Sequence, residues 1–172
     1  MITIVSAYRV CQKSPTTGVK MAFMQQFWSL QSKLNSRKSS KTPVPNKQFI
    51  LDLQAWIQHL QSQGHLIILN LDNNEDLYKA EGSIHNLQYN PDGITKDDAH
   101  NGSLHSLAAS CGLVDILAEQ HSSRPFPPTY IREKKRIDYM LVSAPLQHAV
   151  ERSGILPYNS VFMGDHRPCF LD

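Results

Sequence analysis

Three short clusters in this chain set carboxylates, amides and an imidazole at the edges of apolar runs. The first, Asp72-Asn73-Asn74, follows the run His65-Leu66-Ile67-Ile68-Leu69-Asn70-Leu71. Alternate residues beyond a strand end point the same way, so Asp72 and Asn74 can face one cavity. There a carboxylate can orient or deprotonate a water, and an amide can hold a phosphoryl oxygen. The same three residues also suit an ordinary turn.

The second cluster is Arg136-Ile137-Asp138-Tyr139, with Asp138 set inside an apolar run. A lone charge there is costly to bury without a partner. Arg136 or a backbone amide is one candidate partner. A histidine is the other, because a carboxylate fixes the tautomer of an imidazole and raises its basicity. The third cluster, Gly164-Asp165-His166-Arg167-Pro168, supplies such an imidazole on what reads as a tight, exposed strand connection. His166 can contact a phosphate or a nucleophilic water, and Asp165 can ligate a cation directly or through water. Each cluster alone is common. The three in this order are far more specific.

These groups need elements to hold them. Ile2 to Val10, rich in β-branched residues, reads as a strand buried on both faces. Val19 to Leu34 carries Phe23, Phe27, Leu30 and Leu34 at helical spacing, and Phe49 to Gln63 does the same through Leu53, Trp56, Ile57 and Leu60. Gly64 fits the stop of that helix, and His65 to Leu71 is the clearest buried strand. Asn35 to Lys47 reads as an exposed basic loop, and Asn73 to Asp98 as irregular chain with a turn at Pro91-Asp92-Gly93. Ser103 to Cys111 suits a short helix, and Val114 to Leu117 a short strand. Thr129 to Arg132 and Ile137 to Val142 read as the two strands of a hairpin around Glu133-Lys134-Lys135. Val161–Met163 and Cys169–Leu171 flank Gly164-Asp165-His166. Helix, glycine and strand in that order predict a layered α/β architecture. Trp28 and Trp56 lie on apolar helical faces and are expected in the core.

At 172 residues the chain suits one domain with a sizeable core. A formal charge of +2 permits a polyanionic partner without demanding one. Three cysteines, Cys11, Cys111 and Cys169, are unpatterned, which argues against a disulfide framework or zinc site and fits a reducing, intracellular setting. No stretch approaches the roughly 18 apolar residues of a membrane span, and the first residues lack a signal-peptide pattern. The basic stretch Lys33, Arg37, Lys38, Lys41 and Lys47 can track a nucleic-acid backbone, or simply be solvated.

Together the clusters resemble the endonuclease/exonuclease/phosphatase superfamily, whose fold is the DNase I-like four-layer α/β sandwich. Leu71-Asp72-Asn73-Asn74 is similar to the family's G-D-x-N, Arg136-Ile137-Asp138-Tyr139-Met140-Leu141 to its R-I-D-Y segment, and Gly164-Asp165-His166-Arg167-Pro168 to its S-D-H-x-P. Val5-Ser6-Ala7-Tyr8-Arg9, Gly112-Leu113-Val114-Asp115 and Thr129-Tyr130 also resemble family positions. The resemblance implies that Tyr8 contacts the scissile phosphate and that Asp72 activates the water. It implies that Asn74 holds water and a phosphate oxygen, and that Asp138 orients a phosphate-binding His166. Asp165 would lie in the metal shell, with Asp72 and Asn74 as further metal contacts. Arg9 beside Tyr8 is an additional phosphate candidate.

The implied ion is magnesium, with manganese as an alternative, and the implied partner is nucleic acid, DNA first, with no membrane. The implied activity is that of an endonuclease similar to those accompanying reverse transcriptases of mobile elements. Rival expectations are a non-catalytic remnant of such a domain, or a phosphatase of inositol phosphates or lipids. The chain departs from the family at Asn73, where a packing residue is usual. No glutamate precedes Tyr8, the first being Glu75. The expectation is therefore one partial domain over residues 1–172, lacking the family's N-terminal lobe and its metal-binding Glu, with activity impaired accordingly.

Overall fold

Strand β1 (Ile2–Tyr8) and strand β2 (Leu66–Asp72) pair in parallel, from Ile2↔Leu66 to Tyr8↔Asp72. A parallel pair needs a long crossover, and helices α1 (Ala22–Ser36) and α2 (Pro45–Ser62) lie within it. In this computed structural model the chain is described over residues 1–10, 21–36, 42–74, 103–121, 126–132, 135–161 and 163–172. Cys11, Arg37, Lys38, Lys41, Glu75 and the expected turn at residues 91–93 lie outside those ranges.

Helix α2 starts at Pro45, earlier than the apolar periodicity indicated, because the fixed φ and missing N–H of proline suit a first helical turn. Its Ile50, Leu53 and Ile57 are buried. Gly64, at φ +81°, turns the chain out of the helix and into β2. Helix α3 (Leu104–Ser110) is capped by Ser103, whose Oγ accepts the Ser106 N–H at 3.1 Å. Strand β3 (Leu113–Asp115) runs straight into helix α4 (Ile116–Gln120). Ile116 and Leu117 are thus helical rather than extended, since the Asp115 carboxylate caps the Ala118 N–H.

Strand β4 (Asp138–Ser143) lies antiparallel to both β2 and β3, so the sheet order is β1-β2-β4-β3. A separate pair, β5 (Ser153–Ile155) and β6 (Cys169–Leu171), forms a small second sheet. Among the described residues the expected hairpin at 129–142 does not form. Tyr130 instead forms an isolated bridge with His166, while β4 pairs with β2 and β3. Residues 161 and 163 are likewise not in a strand; β6 takes its partner from residues 153–155.

The main sheet divides the core. Val5, Ile67, Leu69, Leu71, Tyr139 and Leu141 on one face pack with residues of α2 and α3. On the other, Met140 and Val142 meet Ile116 and Leu146, with Leu66, Ile68, Cys169 and Leu171 packed alongside. The second sheet is two strands wide against four, and Ile2 and Ile4 stay 56% and 69% exposed. Strand β1 is therefore a half-covered edge strand, not one buried on both faces. Trp28 and Trp56 are also corrected: each is about half exposed (53% and 51%), because the helices bury a narrower stripe than their apolar content suggests.

Candidate active site

Antiparallel register places Asp72 directly opposite Asp138 at one end of the main sheet. Residues opposite each other share a face, so two carboxylates meet there. The third group arrives from another segment. His166 Nδ1 lies 3.0 Å from Asp138 Oδ2 and 3.2 Å from Oδ1. Among Asp72, Asp138 and His166, one ligand atom from each lies within 4.8 Å of the others. The structure thus brings together the central acid of each of the first two clusters and the imidazole of the third.

Thr129 and Tyr130 explain how His166 is held. The Ile131 N–H donates to the Asp165 carbonyl at 2.9 Å, and the Arg167 N–H donates to the Thr129 carbonyl at 2.7 Å. The Tyr130 ring packs against the imidazole with centroids 5.0 Å apart. Thr129, fully buried, accepts the N–H groups of Ile137 and Asp138 on its Oγ1 at 2.9 and 3.1 Å. One threonine therefore ties the strand of Asp138 to the segment of His166.

Arg136, the rival partner for Asp138, is occupied elsewhere. Its Nη1 and Nη2 each donate to Asp115 at 2.9 Å, its Nε donates to the Asp138 carbonyl at 3.2 Å, and its guanidinium lies over the Phe126 and Tyr139 rings. A planar fork suits a bidentate carboxylate. Arg136 is a buried brace, and the imidazole takes the Asp138 side chain.

Asp72 Oδ1 accepts the Asn74 N–H at 3.0 Å. Asn74 takes a left-handed backbone, φ +52°, and its Nδ2 donates to the Arg9 carbonyl. That amide thus joins the ends of β1 and β2. Arg9 is buried, with Nη1 donating to Asn73 Oδ1 at 3.4 Å, and is not among the residues that line the site cavity. This pair also shows how a polar Asn73 is accommodated, 1% exposed, where the sequence resemblance led us to expect a packing residue. Tyr8, 55% exposed, lines the site cavity with Asp72 and Asp138. Asp165 is exposed and outside the three-group cluster, though its charge reaches Asp72 and His166.

The cavity measures about 410 Å³, and its walls include Ser6, Asn70 and Arg167, which sequence reasoning did not single out. Arg167 is fixed by donating from Nε to the Leu156 carbonyl at 2.7 Å. Its position beside His166 was the available signal. Ser6 and Asn70 carried a weaker one, each two residues before a site residue on its own strand.

Burial lifts the Asp72 carboxyl above its ordinary value; the Asn74 N–H opposes this, the charge of Asp138 adds to it, His166 opposes and Asp165 adds. Burial alone would lower His166, but the Asp138 hydrogen bond and the charges of Asp138, Asp72 and Asp165 together raise it. Crowded carboxylates of this kind suit a hard divalent cation that prefers oxygen ligands and keeps some water. Asp72 and Asp138 fit such an ion; His166, already paired through Nδ1, fits a role toward substrate.

No protein-family model matches the chain, and no curated protein matches it. Among solved structures the chain is similar to a 3′ phosphatase, NExo, from Neisseria, described as bound to a product DNA hairpin. The TM-score is 0.53 at 17% identity, over 73% of this chain and 51% of that one. The fold is DNase I-like. The chain spans about half the length of that neighbour. Within this DNase I-like fold the acids, the imidazole and the cavity lie at one end of the main sheet, where β1 and β2 end and β4 begins. Among the described residues, no helix is long and apolar enough to cross a membrane.

Proposed function

We propose that the chain belongs to the endonuclease/exonuclease/phosphatase superfamily and carries the site of a metal-dependent phosphodiester hydrolase acting on nucleic acid, DNA first. The observation that carries this reading is the His166–Asp138 pair at 3.0 Å with Asp72 alongside. The solved neighbour, a DNA 3′ phosphatase, supports phosphoester chemistry. Assignment to mobile-element endonucleases rests on the sequence resemblance.

In this reading Asp72 orients the attacking water and receives its proton. His166, whose protonated form is favoured by Asp138, donates from Nε2 to a phosphate oxygen as charge builds there. Asp138 fixes the tautomer and orientation of the ring. Asp72 and Asp138 would hold magnesium or manganese, which supplies charge neutralisation at phosphorus. Asn74 keeps Asp72 and the end of β1 in register, and Tyr8 forms one wall of the cavity.

The test compares plasmid nicking by the purified chain with and without magnesium, alongside Asp72→Ala and His166→Ala. Each variant should lose about 10²–10⁴-fold in rate, the usual contribution of a general acid or base. Cleavage that persists in both variants would sink the assignment, and an inert wild type would leave the non-catalytic reading in possession. Release of inorganic phosphate without nicking would move the substrate to a phosphomonoester.

A further inference from the structure

Cross-strand register sorts the site face of the sheet into rungs. Ile2 faces Leu66, and Ile4, Ile68 and Val142 form the next rung, so both are wholly apolar. The rung Tyr8–Asp72–Asp138 carries the acids. Between them lies Ser6–Asn70–Met140, where two polar side chains interrupt an apolar floor. Ser6 and Asn70 line the same 410 Å³ cavity as Asp72, Asp138 and Arg167.

Asn70 is anomalous. Its Oδ1 is buried and has no hydrogen-bond partner among the described residues. Reversing the amide would only bury the other polar atom in the same place. Its sequence neighbours Leu69 and Leu71 are buried core residues, and its side chain stands over a rung of apolar ones. A leucine would fill the position without stranding a polar atom, so the fold gains nothing from an amide here. The buried oxygen is an acceptor that no anion can satisfy; what the amide offers the cavity is Nδ2, which is not among the buried unpaired atoms, and its donor capacity is the part that packing does not explain.

We propose that Ser6 and Asn70 form an oxyanion-binding rung, which donates the Ser6 hydroxyl and the Asn70 amide N–H to a phosphate oxygen of the substrate. The inference rests on the phosphoesterase reading of the neighbouring acids and goes beyond it by naming the phosphate's second support. The cavity favours that class of ligand: Arg167 adds a positive wall, and the two acids lie to one side, where a cation would sit. A phosphate in this cavity would lie between the acids and the donor rung. Asn70 and Ser6 are positioning residues for the substrate, separate from the groups that move protons.

The test uses the full chain with two probes, Mn²⁺ alone and inorganic phosphate in saturating Mn²⁺, both followed by calorimetry together with thermal melts. For Asn70→Leu we expect about tenfold or greater loss of phosphate affinity, in line with a charge-assisted hydrogen bond. Mn²⁺ affinity should stay within about twofold, and the melting temperature should be unchanged or higher. Ser6→Ala, at an exposed position, should weaken phosphate severalfold with no change in melting. Unaltered phosphate affinity in both variants overturns the inference. So does a parallel loss of Mn²⁺ binding, which makes the amide a metal ligand, or a melting temperature lowered in Asn70→Leu, which makes it structural. His166→Ala separates the two levels: phosphate binding lost there but intact in Asn70→Leu leaves the site reading standing and removes the rung. A wild type with no Mn²⁺-dependent phosphate binding overturns both.

Discussion

Asp138 shows how one side chain decides between a structural and a chemical site. Read from the sequence, it had two suitors, Arg136 and a histidine, and no local pattern could choose between them. The choice depends on Asp115, which engages Arg136 through both guanidinium nitrogens and leaves the Asp138 carboxylate to His166. A pH profile follows. If ionised Asp72 accepts the proton, the rate rises as pH climbs through its raised pKa. If protonated His166 donates, the rate falls as pH climbs through its own raised value. Both groups are raised in the metal-free site, and a cation held by Asp72 would draw its limb back down, so the diagnostic quantity is the displacement of the alkaline limb between variants. Asp138→Asn removes the nearest charge that holds His166 up and leaves at best a neutral hydrogen bond, so its alkaline limb should move to lower pH. The maximal rate should drop about 10²-fold or more. Rate measurements from acid to alkaline pH in magnesium check this, and an unmoved limb would mean that another group titrates.

At the scale of elements, β2, α2, α3 and β4 were legible because period, proline, glycine and serine signals agreed locally. Elements whose state depends on distant partners were not. Strand β1 has the composition of a buried strand, yet its burial is set by how far the second sheet extends. Residues 129–132 alternate like a strand, but their partner is the His166 segment rather than β4. The site was legible as three clusters, while its supports, Thr129, Arg136 and Arg167, became visible only once strands were paired. Arg136 yields the sharpest test of that support. It is 2% exposed and braces the junction of β3, α4 and β4 against Asp115, which also caps α4. Arg136→Met strands a largely buried carboxylate and should cost about 3–5 kcal/mol in urea unfolding. Adding Asp115→Leu should recover much of that loss, as a double-mutant cycle would show. A near-neutral single variant would contradict the brace.

For the molecule as a whole, β1 is the edge strand of the main sheet that carries part of the site. Among the described residues it pairs on one side, with β2, across a crossover of more than half a hundred residues, and most of its site face lies open. Long closures of this kind are entropically expensive, and edge elements exchange through local opening. The β1 amides that donate to β2 should therefore exchange hydrogen faster than those of residues 69–71 and 140–142. Equal protection across all three strands, measured by mass spectrometry or NMR, would contradict this. Release of β1 has an unequal effect on the two halves of the site. Asp72, Asp138 and His166 are joined through β2, β4 and Thr129, and the end of β1 reaches them only through the contacts of Arg9 with Asp72, Asn73 and Asn74. Tyr8 and Ser6 would leave with the strand. Mild urea should then yield a frayed species that still captures manganese but has let go of phosphate, so loading with metal and engagement of substrate would fail at different denaturant concentrations.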